Sequence, residues 1–474
     1  MRNQKELTDY ILQKTKQLGA LFTEVLASKG EYSLKRVADG EAYQPTAGRG
    51  ILDSISMSCV IDGKRISANC DSSADIDREM ENMFLKARHL SKEEAEPFAP
   101  EEAFPKADQP EELLYDRETA EMDDSRLVDA ICLVNSVVEE AGFIFDGAIA
   151  QSVSELIFAN SKGTFQECRS TGAQLTIFGF DPKDRSVSSC RMVAGKGLSQ
   201  FPVEELARDV ANKLAIQRDY LKKHGGRRID PFGGKTGPQR LNVIMEPSCW
   251  AGLLAIFSGQ AEAWNGKAYH EGTSFFSGKL GSRVMGENIT ILDDPLHPAG
   301  IPRAFDYEGY PKKRLMLVEK GIAKNVVYDS LLAKKHGVVS TGHALPPPSR
   351  NMGAFPSHLV IEGGDSTVEE MIAASKEPTL WITTLHYIRA THQQDGRMTG
   401  TTLHGVFLVE NGEVVGPTEH LRFDESVPEA LSRVTHISKS LPSLSMETDD
   451  TPFIVPAMRV EGFRFVSVAD RDTK

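Results

Sequence analysis

The chain has 474 residues, 40% hydrophobic and 26% charged, an ordinary globular composition but too long for one ordinary core. Two or three domains are expected. A formal net charge of −13 and a pI near 5.5 set the surface against phosphate backbones, which disfavours nucleic-acid binding.

The first residues, Met1 to Thr8, are polar and carry no apolar run of a signal peptide. The longest apolar run, Trp250 to Phe257, is far short of the ~20 residues that span a bilayer. A cytoplasmic protein without membrane contact is expected. No two of the six cysteines have Cys-x-x-Cys spacing, so free thiols in a reducing compartment are expected.

Leu7, Tyr10, Ile11, Thr15 and Leu18 recur at helical spacing and predict a helix over 4–19. Alternation predicts strands over 21–27 and 31–37. Segments 55–61 and 64–69 read as a hairpin around Asp62-Gly63, a pair that tolerates the positive φ of a primed turn. A helix over 73–90 closes a first unit, 1–92. Residues 93–112, rich in Glu, Pro and Ala, suit a linker.

A second unit, 113–223, starts with a helix over 123–141 capped by Asp124 or Ser125. Strands are expected near 143–159, 164–168, 172–180 and 186–194, with a turn at Asn160 to Gly163, then a helix over 202–222. His224 to Pro238 is a Gly-rich link. In the third unit, 239–474, a strand at 241–245 precedes a helix from Pro247 to Glu262. Beyond it, turn signals at Lys320-Gly321, Gly363-Gly364 and Asn411-Gly412 separate short apolar runs, which suggests a mainly β sandwich or barrel-like domain. The fold class is therefore α+β.

Familiar chemical motifs mostly fail. Gly233-Gly234-Lys235-Thr236 lacks the first glycine of a phosphate loop, because Ile229 stands there. Gly195-Lys196-Gly197 lacks the third glycine of a dinucleotide fingerprint. His270-Glu271 is not followed by a second histidine at zincin spacing, since Ser274 and Phe275 occupy those positions. No Gly-x-Ser-x-Gly elbow occurs. His386, His392, His404 and His420 crowd the last domain and could line a polar cavity or gather a metal; isolated surface histidines are the simpler reading. On a regular strand, His386 and Tyr387 would face opposite sides. Asp293-Asp294-Pro295 favours a turn or a cap.

The run from Gly272-Thr273-Ser274 through Arg283-Val284 to Ile289-Thr290-Ile291-Leu292-Asp293-Asp294-Pro295 is similar to the central signature of the TldD/PmbA family. Its members were once described as modulators of DNA gyrase and are now viewed as zinc-dependent peptidases. Gly363-Gly364-Asp365, Trp381 to Arg389, and Gly405 to Phe423 with Leu421 to Ser426 strengthen the resemblance. It implies an upstream helix carrying His-Glu-x-x-x-His in the zinc-bearing member. Those positions fall here on Phe257, Ser258 and Glu262, which cannot form a zinc site. The family's further cysteine ligand near the C-terminus is also missing, because no cysteine follows Cys249.

The chain thus resembles the metal-free PmbA/TldE-like branch. The resemblance implies a non-catalytic subunit with no catalytic residue, metal or cofactor of its own. A TldD-like partner would supply zinc, and the pair would enclose an unfolded or precursor peptide. His270, His386, Tyr387, Arg389 and Arg422 are the residues expected to contact peptide or partner; for the two arginines an internal salt bridge is the competing expectation. Pairing of identical chains is a further expectation. Two alternatives stand beside this: a homo-oligomeric hydrolase with a site rebuilt from His270, His343 or His386, and a peptide-binding module without a peptidase partner.

Overall fold

The computed structural model describes residues 3–45, 50–90, 100–448 and 451–469. Asn3 and Glu6 form a reciprocal capping box that starts α1 (Gln4–Gln17), whose Leu7 and Ile11 are buried. β1 (Phe22–Ala38) then runs unbroken where two short strands are expected. Gly30 is no break: a Cβ there would lie 2.2 Å from the Val153 carbonyl oxygen, so glycine lets the neighbouring strand approach. β2 (Glu41–Pro45), β3 (Gly50–Ile61) and β4 (Lys64–Cys70) follow. The β3–β4 hairpin turns on Asp62 and Gly63, both at positive φ, as their identities predict. Asp75 caps α2 (Ile76–His89).

Of the expected linker, residues 93–99 lie outside the described residues. The rest is irregular chain running into α3 (Glu111–Leu114) and α4 (Arg117–Glu121). α5 (Asp124–Glu140) is capped by Asp123, whose carboxylate accepts the Ser125 N–H at 2.9 Å. This corrects the expected cap. Asp124 points elsewhere, accepting from Lys35 Nζ at 2.6 Å and Ser33 Oγ at 2.8 Å. β5 (Ile144–Asn160), β6 (Phe165–Phe180, one strand where two are expected), β7 (Ser188–Gly195) and α6 (Val203–Lys223) complete this half.

All seven strands belong to one sheet, ordered β4-β3-β1-β5-β6-β7 with β2 on β1. β1 pairs with β5 from Glu24↔Asn160 to Val37↔Gly147. Segments 1–92 and 113–223, read as two units in the sequence, thus share a single sheet. α1 and α2 pack on Val25, Met57 and Ile157, and α5 and α6 on Phe145, Ile149 and Leu175.

The rest of the chain is mainly β. β8 (Gln239–Met245), α7 (Pro247–Ser258) and α8 (Gly266–Glu271) come first. β9 (Ile291–Asp293), β10 (Leu315–Glu319), β11 (Ile322–Ala323), α9 (Ser330–His336), β12 (Leu359–Ile361) and α10 (Val368–Ala374) follow. Then come β13 (Thr379–His392), β14 (Arg397–Glu410), β15 (Glu413–Pro417), β16 (Leu421–Ser426) and α11 (Val427–Leu431). β17 (Val434–Ile437), β18 (Leu441–Ser443), β19 (Phe453–Val455) and β20 (Met458–Val468) end it.

β13 pairs with both β8 and β14, so β13-β8-β20-β16-β14 closes into a ring. Closure removes most free edges. α7 packs on this ring, its Leu253 and Leu254 sharing a core with Ile382, Val406 and Phe463. A second sheet, β11-β10-β9-β12-β19-β18, lies beside it. The architecture is α+β with a mainly β C-terminal region.

Candidate functional site

α7 starts with Pro247 at its first turn and is apolar on nearly every face, so it is a buried helix. It stops at Ser258 and does not reach Glu262. Gly259 caps it; the Ala261 N–H then reaches back to Ile256 O and the Ala263 N–H to Phe257 O. This wide turn throws Glu262 off the helix at φ 49°. Glu262 is half-buried, and that burial pushes its carboxyl up.

Phe257 is fully buried, with its ring against Trp264 (5.1 Å between centroids), Phe275 (6.0 Å) and Phe276 (6.2 Å). Ser258 is also buried. Zinc needs imidazole, thiolate or carboxylate groups converging at about 2.0–2.3 Å. An aromatic plug, a hydroxyl and a carboxylate beyond the helix end do not fit that ion. Among the described residues, no three His, Cys, Asp or Glu side chains converge in a way that could hold a metal.

The Gly272-Thr273-Ser274 signature does structural work. Gly272 ends α8 at φ 78°. Ser274 Oγ donates to Ala263 O at 2.5 Å and accepts the Phe276 N–H at 3.0 Å, tying α8 back to the turn after α7.

His270 lies on α8, exposed, stacked on His336 at 3.5 Å between centroids and bonded to Tyr328 Oη at 3.1 Å. His343 is sealed inside another network. Its Nε2 lies 2.8 Å from Asp293 Oδ2, and its Nδ1 2.9 Å from Thr341 Oγ1. Asp293 is fully buried and also accepts the Ser357 and His358 N–H groups. Burial alone would raise its carboxyl, but His343 and Lys312 outweigh that and hold it below the usual carboxylate range. The expected turn role belongs to Asp294, which accepts the Leu296 N–H; Asp293 is a charged hub. Close by, burial and then Glu308 push the Asp306 carboxyl up to about 7.

His386 and Tyr387 do not face opposite sides. Tyr387 sits at φ 52° in a bulge of β13, and its ring lies on that of His386, 3.9 Å between centroids. Tyr387 is 63% exposed. Arg389 Nη1 pairs with Glu447 Oε2 at 3.2 Å, so an internal salt bridge is formed. Arg422 is exposed on β16, with its backbone between Thr401 and Ser467. His404 Nδ1 meets Ser188 Oγ at 3.1 Å, at the junction with the first sheet. The structure therefore brings His386, Tyr387 and Arg389 together around Glu447, and leaves His270, His343 and Arg422 in other surroundings. Glu447 and Gln260, which complete this locale, carry no sequence signal of their own.

Residues 238–467 match the profile described as PmbA/TldA metallopeptidase C-terminal domain. The chain is 27% identical over 328 residues to an uncharacterised protein of Methanocaldococcus jannaschii, covering 68% of this chain and 70% of that protein. It is 24% identical over 314 residues to the metalloprotease PmbA of Escherichia coli O157:H7, covering 65% of this chain and 62% of PmbA. The crystal structure of TldE from Thermococcus kodakarensis superposes with a TM-score of 0.82 over 97% of this chain and 99% of that one. At 21% identity that likeness is one of fold. Residues 238–467, including the signature that ties α8 to the end of α7, thus carry the C-terminal domain of the TldD/PmbA family.

Proposed function

We propose that this chain is the non-catalytic, TldE-like subunit of a two-chain peptidase. A TldD-like partner supplies the zinc and the base that activates water. The two chains enclose an unfolded or precursor peptide, and this chain holds it. The observation that carries this reading is Phe257: the position of a metal-binding histidine is filled by a ring sealed among Trp264, Phe275 and Phe276. The likeness in fold to TldE of T. kodakarensis supports the TldE-like part of this reading, and the E. coli relative's name, metalloprotease PmbA, supports its link to peptidase chemistry. For the rival site rebuilt from His270, His343 or His386, His270 lies against Tyr328, His343 is sealed against Asp293 and His386 lies near Glu447, and among the described residues no metal-binding set of three gathers around any of them.

Co-expression with a zinc-bearing TldD-like chain tests the proposal. The expected result is co-purification of the two chains and cleavage of unfolded peptide by the pair but not by this chain alone. Cleavage by this chain alone overturns it. Peptide binding without any co-purifying peptidase would make the chain a stand-alone binding module.

A further inference from the structure

β8 pairs with β13 only from Thr379 to Ile382. From there to His392, β13 has β14 on one side and no strand on the other among the described residues. An unpaired strand edge must satisfy its outward N–H and C=O groups some other way. Here side chains do it. The Ile388 N–H donates to Glu447 Oε1 at 3.0 Å, and the Ala390 N–H to Gln260 Oε1 at a long 3.4 Å. The Ile388 carbonyl accepts from Arg389 Nη1 at 2.7 Å, and the same nitrogen pairs with Glu447.

Alongside Ala390 is an open cavity of about 470 Å³, lined by Gln260, Thr273, Thr391, His392, Gln393 and Gln394. Its lining holds no carboxylate, lysine or arginine, and His392 is itself paired with Asp395 at 3.2 Å. Side-chain amides carry one acceptor and two donors each, the same kinds of group as a peptide; Gln393 and Gln394 each commit one donor, to the Gln260 and Gly272 carbonyls at 2.9 and 2.8 Å, which fixes their amides at the cavity wall. Such a lining suits a neutral backbone rather than an anion. The cavity begins two residues beyond the end of α7, beside the Gly272-Thr273-Ser274 turn that ties α8 to it.

We propose that the outer edge of β13 from Ile388 to Ala390, with the cavity beside it, is a strand-addition site for an extended peptide. Gln260, Glu447 and Arg389 are place-holders that the incoming backbone displaces, leaving Glu447 and Arg389 paired to each other. Main-chain hydrogen bonds then supply affinity with little dependence on sequence. The proposal rests on the peptide-holding role given above and names its site.

Two variants of the full chain, alone and with its co-expressed partner, make opposite predictions. Ala390→Pro removes an outward N–H without touching the β14 ladder, a position where an edge strand tolerates proline. Gln260→Ala removes a competing acceptor. The probe is a fluorescein-labelled unstructured peptide of about a dozen residues, long enough to cover the edge at ~3.3 Å per residue. Ala390→Pro is expected to weaken its binding about fivefold, the worth of one hydrogen bond, while Gln260→Ala leaves it equal or tighter. Unchanged binding in Ala390→Pro, or a loss in Gln260→Ala, overturns the edge site while partner co-purification still supports the subunit reading. Failure of the unmodified protein to bind the probe in either form removes the peptide-holding role itself. If Ala390→Pro does not fold, the sign of the Gln260→Ala effect decides.

Discussion

Lys213 Nζ and Glu246 Oε1 lie 2.7 Å apart, with both side chains sealed from water at 1% and 2% exposure. Lys213 belongs to α6 and Glu246 is the residue just ahead of α7. Arg191 from β7 also pairs with Glu246, and Trp381 Nε1 from β13 donates to it at 2.9 Å. One carboxylate thus joins the first sheet, its helix, the C-terminal ring and α7. Removing it strands the buried Lys213 and the half-buried Arg191 with only Asp209 as a remaining carboxylate partner.

Glu246→Ala is therefore expected to cost about 3–5 kcal/mol, the range for breaking a buried pair by removing one partner. Equilibrium urea unfolding measures it. A loss under about 1 kcal/mol would mean that water reaches the site and that the two halves are less tightly coupled than the geometry indicates.

Writing His-Glu-x-x-x-His into positions 257, 258 and 262 should not create a metal site. In the triple variant Phe257→His, Ser258→Glu, Glu262→His, the last position lies beyond the helix at positive φ, so the two imidazoles do not share a helix face. The expected outcome is no stoichiometric zinc after dialysis, read by atomic absorption. Replacing the buried ring should also cost about 3 kcal/mol or more of stability. Tight zinc binding by this variant would show that the turn after α7 can rebuild.

Stability should peak between about pH 6 and 7. Burial pushes His404 down to about 3 and His420 down to about 4. The unfolded chain takes up protons at these rings below about 6.5 while the folded chain does not, so stability falls as the solution is acidified. Asp306 acts in the other direction. Its folded value of about 7 lies above its unfolded one, so its contribution is present at low pH and lost as pH rises through about 7. Urea melts from pH 4.5 to 8.5 check both limbs. His404→Gln, which keeps a partner for Ser188, should lower the acid-side slope by about one proton.

Gly30→Val tests why β1 is a single strand. Its Cβ would meet the Val153 carbonyl oxygen at 2.2 Å and Ser154 Cα at 2.9 Å, both backbone atoms that cannot swing aside. A loss of about 2–3 kcal/mol is expected from thermal or urea unfolding. A neutral result would mean that the β1–β5 register slips without cost.

Local chemistry made several elements legible. The Asp62-Gly63 turn, the α1 periodicity and the Pro247 helix start all depend on residues adjacent in the chain. That Phe257 has no donor atom for a metal was legible too, because it is a property of the residue and not of its packing. Alternation failed where the backbone left regular geometry. At Tyr387 a single positive φ reverses the expected facing and stacks its ring on His386. The end of α7 failed likewise, because whether a helix continues past Ser258-Gly259 depends on what its next turn packs against.

By itself, then, the sequence determined the short-range turns, the amphipathic helices, the mainly β character of the second half and the absence of zinc donors at the signature helix. Only the tertiary structure decided that the first two segments share a sheet, that Asp293 is a buried hub and that β13 keeps an edge capped by Gln260 and Glu447. The physical reason is range: donors and turn residues are properties of a residue and its neighbours. Partners such as Gln260 and Ala390, 130 positions apart, meet only when the whole chain closes.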